Sequence, residues 1–162
     1  YDKAIASKQL AVVLVEPRIP QNFGNISRLC ACTGLDLILV GDLGFHLSDA
    51  NVKRAGMDYL DDVTVKHYPD LPDVMNDYPS SDGWQIAFLD SHWPQPYTSI
   101  PFSTQKTLVV FGSETDGLPK AILEKHPELC YTIPMSDSHR SLNLSNSVSI
   151  VVYEGLRQIG AW

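Results

Sequence analysis

Short apolar runs alternate with amphipathic segments along most of the chain. The runs are four to six residues long and rich in Val, Leu and Ile, a pattern typical of strands buried on both faces of a parallel sheet. They predict strands at Leu10–Val15, Leu37–Val40, Trp84–Leu89, Lys106–Phe111 and Cys130–Ile133, and an alternating segment predicts one more at Val63–Tyr68. Because helical patterns separate these runs, we expect one α/β domain over residues 1–162, with a mainly parallel sheet flanked by helices.

Two of the helical segments have clear ends. The first is predicted to begin at Asn22 and to stop at Gly34, a residue suited to the left-handed turn after a helix. The last follows a stretch rich in Ser and Asn, and either Asn143 or Ser145 can cap it by accepting hydrogen bonds from the first free amides. Shorter helices are predicted at three further places: after Ser48, over Leu71–Met75 and after Pro119.

The net charge of −7 limits how the chain can contact nucleic acid. Lys and Arg side chains supply most non-specific affinity for phosphate, so a broad basic surface is excluded and any RNA contact must be local.

The apolar runs are too short to cross a membrane, and we expect a cytoplasmic protein with no membrane partner. The sequence begins at Tyr1 and not at Met, so this expectation leaves room for a leader that has been removed. The sequence has no spaced set of His, Cys and Asp ligands, so we expect no metal site.

Three polar stretches at the ends of predicted strands carry most of the candidate chemistry. They are Pro20–Arg28, Gly112–Pro119 and Ile133–Asn146. Ligands of open parallel sheets bind at the carboxyl ends of the strands, so residues 16–25 after the first strand are a candidate site on topology alone. The chain has no dinucleotide fingerprint, phosphate loop or hydrolase nucleophile elbow. These rules predict a binding site and leave its reaction open.

The three polar stretches resemble the three motifs of the SPOUT class of RNA methyltransferases. The first reads Ile-Pro-Gln-Asn-Phe-Gly-Asn-Ile-Ser-Arg over 19–28, and the second reads Phe-Gly-Ser-Glu-Thr-Asp-Gly-Leu-Pro over 111–119. The third combines Ile-Pro-Met at 133–135 with Arg-Ser-Leu-Asn-Leu-Ser-Asn at 140–146. Within the class, the chain is most similar to the TrmL (YibK-like) tRNA wobble-nucleotide 2′-O-methyltransferases, because Lys-Arg-Ala-Gly-Met-Asp-Tyr at 53–59 also fits their pattern.

The resemblance implies a fold that general topology rules would not predict. Knots are very rare in proteins, yet these enzymes thread their C-terminal region through a loop and form a deep trefoil knot. The knot is their pocket for S-adenosylmethionine, and two subunits of a homodimer complete each site.

The resemblance also implies a reaction and a substrate. The methyl group is expected to go to the ribose 2′-hydroxyl of cytidine or uridine at wobble position 34, in the anticodon stem-loop of a tRNA. Two alternatives stay open. One is 2′-O-methylation of another tRNA position or of ribosomal RNA, and the other is a non-catalytic RNA-binding relative that keeps the fold.

The resemblance assigns two groups of positions to the site. The expected cofactor-binding residues are Leu89, Gly112, Ile133, Met135, Ser141 and Leu142. The expected catalytic residues are Asn22, Arg28, Glu114, Ser141 and Asn143. Leu89 and Leu142 are equally consistent with core packing.

The roles of two charged catalytic residues can be argued from their chemistry. Guanidinium stays protonated and is a poor base, so we expect Arg28 to hold a phosphate and stabilise developing negative charge. An ordinary surface charge is the competing interpretation. Glu114 could order loop amides, face the cationic sulfonium, or complement the start of a helix.

Overall fold

The structure is a computed structural model that describes residues 1–48, 50–137 and 141–162. Within these residues it contains six strands and six α-helices. The strands are β1 (Leu10–Val15), β2 (Asp36–Val40), β3 (Val65–Tyr68), β4 (Trp84–Leu89), β5 (Lys106–Phe111) and β6 (Cys130–Tyr131). The helices are α1 (Lys3–Gln9), α2 (Pro20–Thr33), α3 (Ala50–Gly56), α4 (Leu71–Asp77), α5 (Lys120–Lys125) and α6 (Leu144–Ile159).

All six strands belong to one parallel sheet in the order β3-β2-β1-β5-β4-β6. In the centre of the sheet, Val13 pairs with Ile38 on one side and with Val110 on the other. The carboxyl ends of β1, β5 and β4 therefore lie at the same edge, next to one another. This edge is where the three polar stretches begin.

Helices cover both faces of the sheet. Leu10, Val12 and Leu14 pack in the same buried cluster as residues of α2 and α6, whereas Ala11 and Val13 pack in a second cluster with residues of α4 and α5. Successive residues of a strand point to opposite faces, so a run that is apolar throughout needs a cover on each side. This explains why β1 reads as a continuous apolar run.

The predicted α/β domain with a parallel sheet is confirmed, and three of the predicted strands have their predicted ends. Gly34 has φ of 74° and ends α2 as expected. Several predicted bounds were wrong. The last strand ends at Tyr131, two residues before Ile133, and α2 begins at Pro20 rather than at Asn22. Smaller differences are the start of β2 at Asp36, the start of β3 at Val65 and the end of α4 at Asp77. Helix α1 was not predicted. The first polar stretch is therefore helical from its first residue. The knot stays a prediction.

In the parts of the chain that the structure describes, no helix is long and apolar enough to cross a membrane.

Close packing of α6 against the sheet depends on Gly155. A Cβ atom at this position would lie 3.1 Å from Leu10 Cδ2 and 3.1 Å from two ring carbons of Phe102. All three residues are buried. The absence of a side chain therefore sets how closely α6 approaches β1.

We predict that Gly155→Leu lowers the free energy of unfolding by about 1–3 kcal/mol, because a larger side chain in a packed core forces its neighbours to move. Chemical denaturation followed by circular dichroism measures the change. Arg157→Leu is the control, since Arg157 is exposed on the same helix and should cost much less. Equal losses in the two variants would contradict the packing role of Gly155.

Candidate active site

A cavity of about 470 Å³ opens at the carboxyl ends of β4 and β5. The last residues of these strands, Leu89 and Phe111, form part of its wall, and residues from all three polar stretches form most of the rest. Its volume is in the usual range for a small-molecule or cofactor pocket. The three polar stretches thus meet at one edge of the sheet.

Each residue that the sequence assigned to cofactor binding lies on this cavity wall. They are Leu89, Gly112, Ile133, Met135, Ser141 and Leu142. Leu89 is buried, and Leu142 is 40% exposed, which excludes core packing as the reason for Leu142. Ser141 is also exposed at the wall. Ile133, Met135 and Leu142 give the cavity an apolar side.

Gly112 is required by its own loop. A Cβ at this position would lie 2.1 Å from the carbonyl carbon of Gly117 and 2.2 Å from the backbone nitrogen of Leu118. The loop turns back on itself through a hydrogen bond from the Gly117 N–H to the Ser113 carbonyl at 3.0 Å, and Gly117 has φ of 66°. The small size of Gly112 therefore shapes the cavity wall before any ligand is considered.

The Glu114 carboxylate binds the start of the first polar stretch. The backbone N–H of Arg18 donates to Oε2 at 2.8 Å, and the N–H of Ile19 donates to Oε1 at 3.2 Å. Asn22 Nδ2 also donates to Oε1, at 3.4 Å. Ile19 precedes α2 and gives that helix no side-chain cap, so Glu114 supplies an acceptor and a negative charge where the helix dipole favours one. Of the roles expected for Glu114, the structure shows two: it orders loop amides and complements the start of a helix, which is α2.

Asn143 joins the third stretch to the first. Its Nδ2 donates to Asn22 Oδ1 at 3.0 Å, while its Oδ1 accepts hydrogen bonds from the Ser145 N–H at 2.9 Å and the Asn146 N–H at 3.3 Å. Asn143 is therefore the cap of α6 and a cross-link at the same time. We call the chain of side chains Glu114, Asn22 and Asn143 the polar tie. It connects all three stretches around one cavity.

Arg28 lies away from the cavity of its own chain. It is exposed on α2, six residues after Asn22, which corresponds to about 9 Å along the helix axis. Its guanidinium carbon lies 5.0 Å from the centre of the Tyr59 ring, an arrangement that favours cation–π attraction. Tyr59 belongs to the 53–59 stretch, so this stretch meets the first motif. Arg140 of the third motif lies outside the described residues.

The described wall of the cavity carries three carboxylates and no Lys, Arg or His side chain. The carboxylates are those of Asp90, Glu114 and Asp116. Burial raises the pKa of Asp90, an effect that the Ser91 amide and the nearby His92 oppose. Asp90 was missed in the sequence. Its place directly after a predicted strand was the signal that could have found it.

Comparison with known proteins identifies the family. Residues 9–153 match the SpoU rRNA Methylase family. A curated relative from Burkholderia cenocepacia (strain HI2424) is named tRNA (cytidine(34)-2′-O)-methyltransferase. It is 41% identical over an alignment 162 positions long, which covers 92% of this chain and 95% of the relative.

Solved structures agree with the sequence match. A structure described as "Structural insights into the 2-OH methylation of C/U34 on tRNA" superimposes with a TM-score of 0.85 and 33% identity, covering 96% of this chain and 99% of that one. The SpoU methyltransferase AviRb from Streptomyces viridochromogenes, in complex with AdoMet, superimposes with a TM-score of 0.83 and 26% identity, covering 96% of this chain and 62% of that one. The resemblance in the three motifs is thus confirmed, and the chain belongs to the SpoU rRNA methylase family.

Proposed function

We propose that this chain is a tRNA 2′-O-methyltransferase that transfers a methyl group from S-adenosylmethionine to the ribose of cytidine or uridine at wobble position 34. The observation that carries the proposal is the polar tie, which joins the three family motifs around one cavity. The Burkholderia relative is named for this reaction, and the structure with a TM-score of 0.85 is described by it. A tRNA substrate also agrees with the predicted cytoplasmic location.

The cavity suits S-adenosylmethionine in its lining and in its charge. The apolar side formed by Ile133, Met135 and Leu142 suits an adenine ring, and adaptable Met side chains pack well against such rings. The carboxylates of the described wall suit a molecule with a net positive charge. When bound, the cofactor supplies the methyl group. Ser141 lies on the wall, where its hydroxyl can bind the cofactor.

The chain's own residues position the reactants and favour the transition state. The polar tie holds the three stretches in place, so Asn22, Glu114 and Asn143 act mainly by fixing the geometry in which the hydroxyl meets the methyl group. Arg28 holds the phosphate beside the target ribose in two hydrogen bonds and stabilises negative charge on the oxygen as its proton leaves.

The proposed enzyme is a homodimer in which Arg28 serves the cavity of the partner. Arg28 does not line the cavity of its own chain. Four exposed apolar side chains support a second copy of the chain as the partner. Ile19 and Leu142 lie at the cavity wall, and Ile150 and Tyr153 are neighbours on α6.

A trefoil knot is part of the same proposal. The long loop after β4 pairs with the chain directly after β6, since the Thr132 N–H donates to the Gln95 carbonyl at 2.9 Å and the Tyr97 N–H donates to the Thr132 carbonyl at 2.8 Å. From there the chain returns to α6, which packs against β1 and β5 in the middle of the sheet. This course supports threading of the C-terminal region through the loop.

We predict that an anticodon stem-loop with a ribose wobble nucleotide accepts a labelled methyl group from S-adenosylmethionine, and that a single 2′-deoxy substitution at that nucleotide abolishes labelling. The 2′-hydroxyl is the only acceptor removed. A 2′-deoxy substitution at the preceding nucleotide is the control and should keep labelling within about twofold. Undiminished labelling of the wobble-deoxy substrate would place the methyl group elsewhere. No labelling of any tRNA would favour a ribosomal substrate or a non-catalytic relative.

We predict that Arg28→Ala and Ser141→Ala each lower kcat/KM by about 100-fold or more as homodimers, whereas a mixed dimer of the two variants recovers about half of wild-type activity. A mixed dimer, purified through two different tags, keeps one cavity with intact Ser141 facing an intact Arg28 of the other chain. Arg28→Ala should leave cofactor affinity within about twofold, because Arg28 contacts RNA in this proposal. An inactive mixed dimer would place Arg28 in its own cavity, and a fully active monomer would exclude the shared site.

We predict that Glu114→Gln and Asn143→Ala each weaken S-adenosylmethionine binding about tenfold, and that the double variant loses much less than the product of the two effects. Both changes break the same polar tie, and Gln offers the Arg18 and Ile19 amides one acceptor oxygen in place of two. Calorimetry measures the affinities. Glu124→Gln, an exposed change on α5, is the control and should have no effect. Independent, multiplicative losses would show that the tie does not act as a unit.

A further inference from the structure

Asp90 is a carboxylate of the cavity wall to which the proposed reaction gives no role. It directly follows β4, and its backbone N–H donates to the Tyr131 carbonyl of β6 at 3.0 Å. Its Oδ1 accepts a hydrogen bond from the Ser91 N–H at 2.8 Å. The backbone of Asp90 is thus fixed to the sheet, and its half-buried side chain lies beside Leu89 on the wall.

The two other carboxylates of the described wall are differently placed. Glu114 is occupied by two backbone amides and an asparagine at the start of α2. Asp116 is exposed to solvent, which screens its charge. Asp90 is therefore the carboxylate of this wall that combines partial burial with a single hydrogen bond among the described residues.

A cation in the cavity would offset the cost of burying the Asp90 carboxylate. Burial raises the pKa of Asp90, so the ionised Asp90 carboxylate is disfavoured when the cavity holds no cation. His92, which opposes this effect, is exposed. Among the described wall residues no Lys, Arg or His supplies a positive charge, and a bound cation would supply one.

We propose that Asp90 determines the preference of this site for the positively charged cofactor over the uncharged product. The inference rests on the proposed function. S-adenosylmethionine carries a sulfonium and an ammonium against one carboxylate, and so has one net positive charge. Transfer of the methyl group leaves a neutral thioether, and S-adenosylhomocysteine has no net charge.

The two molecules otherwise have the same adenine, ribose and amino-acid groups. A partly buried carboxylate attracts the charged cofactor more strongly than the product, because the attraction is weakly screened where water is partly excluded. The apolar wall and any hydrogen bonds to the shared groups bind both molecules alike. The Asp90 charge thus separates cofactor from product and favours exchange of one for the other after each turnover.

The test compares the affinity ratio of cofactor to product in the wild-type chain, Asp90→Asn and Asp116→Asn. Asparagine keeps the shape of the side chain and an acceptor for the Ser91 amide, and removes the charge. We expect Asp90→Asn to lower the ratio about tenfold, mainly through weaker binding of S-adenosylmethionine. Asp116→Asn removes the same charge from an exposed position of the same wall and should change the ratio less than about twofold. Calorimetry gives both affinities, and unchanged thermal unfolding shows that the variants are folded.

Three results would overturn the inference. If Asp90→Asn weakens cofactor and product equally, Asp90 binds a group that both share and does not discriminate between them. If Asp116→Asn lowers the ratio as much as Asp90→Asn, the effect belongs to the general charge of the wall. If the folded wild-type chain binds neither molecule, the proposed function fails and the role of Asp90 fails with it. The first two results leave the proposed function intact.

Discussion

The arrangement of the site depends on one interaction. The Glu114 carboxylate accepts hydrogen bonds from the backbone amides of Arg18 and Ile19. It lies at the start of α2, where free amides and the helix dipole attract a negative group. Through Asn22 it continues to the side-chain nitrogen of Asn143, whose side-chain oxygen caps α6. The two longest helices and the loop after β5 are thereby fixed to one another at a single edge of the sheet.

The parallel sheet makes this arrangement feasible. Because β1, β4 and β5 run in the same direction, the loops that leave them start at the same edge. Apolar residues cover both faces of these strands, so the polar residues of the chain gather where the strands stop. The cavity then forms between loops, and its shape depends on features such as the close contact of Gly112 with Gly117.

An acidic chain that acts on RNA must use its few cations locally. The net charge is −7, and the described cavity wall carries carboxylates without a cation. This charge suits a positively charged cofactor and repels a polyanion. A site that brings both together needs positive charge toward RNA, and in the proposed dimer Arg28 on α2 supplies it. Separation of the acidic cofactor wall from the basic RNA contact follows from the opposite charges of the two ligands.

The sequence by itself determined where the strands lie, most of the helices, the family and many of the residues that line the cavity. Strands such as Leu10–Val15 were readable because a strand buried on both faces must be apolar throughout, and Gly34 marked a helix end because its left-handed φ favours Gly. Asn143 was one of two caps that local rules allowed, since capping involves only neighbouring residues.

Only the tertiary structure decided what Glu114 contacts and where Arg28 and Asp90 lie. Glu114 meets Arg18 across 96 positions of sequence, and Asn143 meets Asn22 across 121. Local patterns carry no information about such distant partners, because these contacts arise only after the sheet has brought separate loops to one edge. The same holds for the burial of Asp90 beside β6 and for the distance of Arg28 from the cavity. Burial and distance depend on how the folded chain packs, and the order of residues in the sequence does not give them.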